Sequence, residues 1–194
     1  MSHSSETRIF TAPAASVPPT LAGAEDYEAL ARGPGAVACA RTDRLHHVFG
    51  STRSGYAIYY FAEILASFDF PALAFLTDSG QQYAFEGEYS TMLVEVLDAD
   101  KQRAAIAQMN ALFAALKANP AIAYDAETYG HLCDGDIEKA VARDYVSASP
   151  YADTAVYGDE GDTADYLFTY LRSVLKVVEN ALDEGMIVIY SAEM

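Results

Sequence analysis

This chain of 194 residues has no tryptophan, only two cysteines and few cations: 12 Lys and Arg stand against 28 Asp and Glu. Each shortage excludes something. Cys39 and Cys133 are two isolated thiols, which rules out a small scaffold stapled by several disulfides and points to a reducing compartment. The net charge of -16 repels DNA, RNA and anionic membrane surfaces, so neither nucleic acid nor membrane is an expected partner. The most apolar stretch, residues 55–76, is interrupted by Glu63, Asp69 and Pro71, so it reads as core and not as a bilayer span. The first residues, Met1-Ser2-His3-Ser4-Ser5-Glu6, show no apolar leader, and the expected location is cytoplasmic.

Catalytic signatures are missing too. There is no Gly-x-Ser-x-Gly elbow, no His-Glu-x-x-His and no Cys-x-x-Cys. Ligand-type residues do gather at His131, Cys133, Asp134, Asp136 and Glu138, but without metal-site spacing. Asp134-Gly135-Asp136 opens like a calcium loop, yet Lys139 stands where the invariant Gly belongs and no Glu closes the loop. The sequence therefore implies no metal, no cofactor and no catalytic residue, and the chain reads as a binding protein more than an enzyme.

What is present is ordinary globular composition, 52% apolar, with 14 Tyr and 9 Phe. Residues 1–19 read as a flexible segment with a short strand at 7–11, and residues 20–194 as a single globular domain. Residues 21–32 read as a helix capped by Thr20 and stopped by Gly33-Pro34-Gly35. Short strands are expected at 36–41 and 44–49. Ser54 caps a helix carrying Tyr56, Tyr60, Ile64 and Phe68. Strands follow at 72–77, 82–86 and 91–97. Asp98 caps a long helix with the stripe Ile106, Met109, Phe113 and Leu116, which Asn119-Pro120 ends. A short helix is expected at 135–146. Asp162 caps the last helix, Gly185 stops it, and residues 186–190 make a closing buried strand. The sum is an α+β fold: one mixed, mainly antiparallel sheet with four to five flanking helices.

Two stretches suggest function. Residues 125–165 interleave acids with tyrosines, among them Asp134, Asp136, Tyr151, Asp153, Tyr157, Asp159, Glu160 and Asp162. Carboxylates steer a basic partner in and pair with its Arg and Lys, while tyrosine gives rigid contact area. The first reading is thus an acidic protein-binding module, in its most concrete form an immunity or antitoxin-like inhibitor that occludes a basic protein. The second reading starts from a basic stretch in an acidic chain: Arg32, Arg41, Arg44 and Arg53 with His46 and His47. Arg53 and Ser54 fall between an expected strand and an expected helix, where backbone N–H groups favour an anion. Residues 41–53 would then form an anion site of a small ligand-binding domain or enzyme, with Arg44, Arg53, Ser54, His46 and His47 in it. A third reading takes the wide apolar face of the last helix as the seam of a structural homo-oligomer.

Overall fold

The fold was read from a computed structural model, which describes residues 6–50, 52–77, 80–124, 155–156 and 163–194. Its centre is strand β1, Glu6–Pro13, which contains the short strand expected at 7–11 in the otherwise flexible first segment. The run Thr7-Arg8-Ile9-Phe10-Thr11-Ala12 alternates along the pleat, but Thr7, Ile9, Phe10, Thr11 and Ala12 are all buried. A strand buried on both faces is an inner strand. β1 pairs antiparallel with the last strand on one side and with His47–Gly50, β2, on the other.

That last strand, β6, is Met186–Glu193, three residues longer than the sequence suggests. Numbering Tyr83–Glu86 as β3, Thr91–Leu97 as β4 and Ala155–Val156 as β5, the sheet order is β3-β4-β6-β1-β2-β5. Five strands run antiparallel to their neighbours, and the two-residue β5 adds a parallel pairing to β2. The expected α+β fold is what forms.

One face of the sheet carries the larger core. Helices Thr52–Leu65 (α3), Ala99–Ala118 (α4) and Thr163–Glu184 (α6) pack there against Ile9, Leu93, Val188 and Tyr190; the short α5 is Ala121–Tyr124. In α4 the Asp98 carboxylate accepts the N–H groups of Asp100 and Lys101, both at 3.0 Å, which is the expected cap. The wide apolar side of α6 goes into this core, with Tyr170, Leu171, Val174, Val177 and Val178 all buried. Gly185, at φ +69°, turns the chain from α6 into β6, a conformation that only glycine adopts cheaply.

The other face carries a thinner layer, made by Ala24–Ala31 (α1) and Pro34–Ala40 (α2). Here two expectations are corrected. The cap of α1 is Gly23 and not Thr20, and its open N-terminus is tied by Asp26, whose carboxylate accepts the Ala22 N–H at 2.7 Å. Residues 36–41, read as a strand from their apolar run, are helical instead: they lie in α2 through Ala40, with Arg41 as its C-cap. Pro34 sets a helical φ at the first position, alanine is the best helix former, and the buried residues Ala36 and Cys39 lie three apart, which is helical spacing.

A third correction concerns residues 72–77. They form a 3-10 helix, Pro71–Leu76, and not a strand. Pro71 again starts the turn. Gln108 accepts the free Ala72 N–H at 2.7 Å, and the Thr77 hydroxyl donates to the Ala74 carbonyl at 2.7 Å. These bonds replace a strand ladder while Leu73, Phe75 and Leu76 stay buried.

Candidate anion-binding groove

Pleating decides which side chains reach the thin layer. On β1 the even positions Arg8, Phe10 and Ala12 face it, and the register places His47 opposite Phe10 and Ser191 opposite Arg8. Met92 of β4 pairs with Glu193 of β6 and continues the row. The apolar part of this face, Phe10, Ala12, Val94 and Ile189, packs on Tyr27, Leu30 and Ala36. The polar part, Arg8, Ser191 and Glu193, extends beyond it.

Tyr27 anchors α1. Its ring meets Phe10 at 6.0 Å between centroids, and its hydroxyl lies 2.6 Å from the Ser191 hydroxyl. Burial raises its pKa, outweighing the Ser191 hydrogen bond and the nearby Arg8 guanidinium, which lower it. The hydroxyl is therefore neutral through the physiological range. Glycine sets α2 close by. A Cβ on Gly35 would come within 2.8 Å of the Pro13 ring, so α2 presses on the end of β1 as no larger residue would allow.

Two hollows result between α1, α2 and the sheet. The first, of about 300 Å³, is walled by Phe10, Ala31, Ala36, Val37 and Ala40 and by four cationic-type side chains, Arg8, Arg32, Arg41 and His47. No acidic residue lines it. The second, of about 220 Å³, is polar and is lined by Tyr27, Glu28, Met92, Ser191 and Glu193 with Thr7. Arg8 and Arg32 line both, so the hollows adjoin at these two arginines. Arg32 bridges Glu28 at 2.9 Å one helical turn away, an exposed pair of the weak kind.

The sequence-based anion candidates divide between the two faces. His47 lines the first hollow, together with Arg32 and Arg41 of the same basic stretch. Arg44 does not: it bonds Asp183 and Glu184, both at 2.9 Å, and Asn180 Oδ1 at 2.9 Å, and the Asp183 hydrogen bond raises its pKa. His46 is buried on the larger-core side, with Nδ1 3.0 Å from the Thr11 hydroxyl and Nε2 3.3 Å from Glu184. Both are spent on holding residues 41–46 to the end of α6. Arg53 and Ser54 fall in the first turn of α3, which begins at Thr52, two residues before the expected cap. Asp134, Asp136, Tyr151, Asp153, Tyr157, Asp159, Glu160, Asp162, His131 and Cys133 lie outside the described residues, as does the helix expected at 135–146.

Among the described residues no three His, Cys, Asp or Glu are grouped to hold a metal, and no helix is long and apolar enough to cross a membrane. The sequence reading missed Arg8, Tyr27, Glu28, Ser191 and Glu193. A signal for two of them exists: Arg8 and Ser191 break apolar rows that strand alternation would otherwise continue through Phe10 and Ala12, and through Ile187 and Ile189. No known protein family, curated protein or solved structure matches this chain.

Proposed function

We propose that the chain is a ligand-binding module that takes a small anion with an apolar body in the groove between α1, α2 and the sheet. One observation carries this reading. In a chain of net charge -16, a hollow is lined by three arginines and a histidine, by apolar residues, and by no acid. Guanidinium groups hold carboxylate or phosphate through forked, charge-assisted hydrogen bonds. Phe10, Ala36 and Val37 offer an apolar wall to the rest of the ligand. Repulsion from remote acids is screened beyond about 8–10 Å at moderate salt, which leaves Glu28 and Glu193 of the adjoining hollow as the near acids to set against Arg8, Arg32, Arg41 and His47.

A ligand of roughly ten heavy atoms would bind with a Kd of ~0.1–1 mM, taking about 0.4–0.5 kcal/mol per atom. The test is a thermal-shift and calorimetric titration with isocaproate and isoamyl phosphate, with neutral isocaproamide as control. The anions should raise the melting temperature and the amide should not. Arg41→Gln should weaken binding several-fold, whereas Arg103→Gln, which removes an exposed cation bridged to Asp100 on α4, should not. Absence of a shift with either anion at tenfold the expected Kd removes the reading.

A second reading, acidic capture of a basic protein, draws on the net charge and on the turn joining β3 and β4. There Tyr89 is 83% exposed beside Glu88, with Glu86 at the end of β3. An exposed aromatic ringed by carboxylates suits a cationic surface. It predicts copurification of a basic protein whose binding weakens in salt and when Asp159, Glu160 and Asp162 are neutralised together. Recovery of the partner unaffected by both would sink it.

A further inference from the structure

We infer that the groove is built for a zwitterion, and that its ligand is an α-amino acid with an aliphatic or aromatic side chain. The inference rests on the anion-binding reading above and extends it to the second hollow. The two hollows differ in chemistry. The larger holds Phe10, Ala36 and Val37 and has no carboxylate; the smaller holds Glu28 and Glu193 and has no aliphatic residue but Met92. Arg8 and Arg32 separate them, lining both. The apolar wall and the carboxylate pair thus lie in two hollows that share the two arginines.

An α-amino acid carries its groups in the matching arrangement around one carbon. The carboxylate meets the guanidinium groups, the ammonium meets the carboxylates beyond them, and the side chain turns the other way along Phe10. A simple fatty acid or alkyl phosphate leaves Glu28 and Glu193 without a cation from the ligand. An alkyl amine brings no anion to the guanidinium groups.

The Glu28–Arg32 bridge fits this scheme. It is an exposed pair, 2.9 Å apart, whose arginine side chain is 81% accessible. A zwitterion inserts between the two partners, giving each a new counter-ion, so the exposed pair that opens is replaced by two pairs. The Tyr27 and Ser191 hydroxyls, 2.6 Å apart in the same hollow, add oxygen acceptors for the ammonium. Glu193 is held for this by Ser90, whose hydroxyl donates to it at 2.6 Å.

The experiment compares three molecules of one carbon skeleton on the full chain by calorimetric titration: leucine, isocaproate, which lacks the ammonium, and isoamylamine, which lacks the carboxylate. Leucine should bind at least tenfold tighter than either. In the double variant Glu28→Gln, Glu193→Gln the leucine-to-isocaproate affinity ratio should fall towards one. Glu28→Gln alone, at a half-exposed helix position, should lower the ratio part of the way, which keeps the test available if the double variant does not fold. Equal binding of leucine and isocaproate by the native chain overturns the zwitterion inference and leaves the anion reading standing. Binding of neither overturns both. A ratio unchanged in the glutamine variants also overturns the inference, because the ammonium must then sit elsewhere.

Discussion

Asn180 ties the loop that precedes β2 to the last turns of α6, and removing its amide should loosen the molecule at a predictable cost. Its side chain is 2% exposed. Nδ2 donates to the Leu45 carbonyl at 2.8 Å, and Oδ1 accepts from Arg44 at 2.9 Å. In Asn180→Ala the Leu45 carbonyl is left buried without that donor, which costs about 1–3 kcal/mol. The Arg44 bond adds little, because that guanidinium is solvated and keeps Asp183 and Glu184. The expected loss is about 2 kcal/mol, or about 4–8 °C in Tm for a chain of this size. Urea unfolding of the variant checks the free energy, with the midpoint falling and the slope unchanged. Asn180→Asp keeps the shape and the acceptor but loses the donor, and adds a third carboxylate near Asp183 and Glu184. At neutral pH it should be at least as destabilising as the alanine. A loss under about 0.5 kcal/mol in Asn180→Ala would refute the argument that this buried amide holds the loop.

Further expectations concern a cap, the core, the groove wall and alkaline pH. Gly23→Ser should stabilise by roughly 0.5–1 kcal/mol, since Gly23 is an extended N-cap with no side-chain bond and a Cβ there meets nothing within 4 Å; thermal melts decide it. Leu112→Ala, at a fully buried site in α4, should cost about 2–5 kcal/mol by urea unfolding. Gly35→Val should push α2 off Pro13 and weaken isocaproate binding more than it lowers Tm, a split that titration and melting together reveal. Burial raises the pKa of both Tyr27 and Tyr190. Their contribution to stability is complete below the unfolded tyrosine pKa of about 10 and is lost above it, as the unfolded chain ionises first. Tyr190→Phe should flatten that alkaline decline in a pH series of urea midpoints, even though it gives up the 3.2 Å bond with Tyr170.

Much of this fold can be read locally because the deciding residues act locally. Asp98 bonds two N–H groups of its own helix, Gly185 takes the positive φ that turns α6 into β6, and the 91–97 pattern pairs as written. Residues 36–41 and 72–77 are misleading for a shared reason. A short apolar run has no period, and in both places a proline at the first helical position decides the matter. The groove is less legible still. Its cations come from β1, β2 and the C-terminal caps of α1 and α2, and only strand pairing brings Arg8 beside residues 32–47. Charge counting along the chain groups Arg44 with Arg41, though the two residues of chain between them carry the two side chains to different neighbours.

Pairing separates the two better than sequence does. With 28 acids to 12 bases, a cation of this molecule has many carboxylates to meet. Arg44 has two, Lys101 meets Glu95 at 2.6 Å, Arg103 meets Asp100, and Lys176 meets Glu179 at 3.4 Å. Such pairs, the Arg32–Glu28 bridge included, are the default of an acidic surface and do not by themselves point to a ligand. Arg41 is different: among the described residues it meets no carboxylate, and it lines a hollow that has none. Lys117 also lacks one, but it sits in the last turn of α4, where the helix dipole favours a cation. No helix end of that length accounts for Arg41, which follows a helix of seven residues. A counter-ion drawn from outside the chain would give the Arg41 guanidinium the carboxylate or phosphate partner that the lining of its own hollow does not offer.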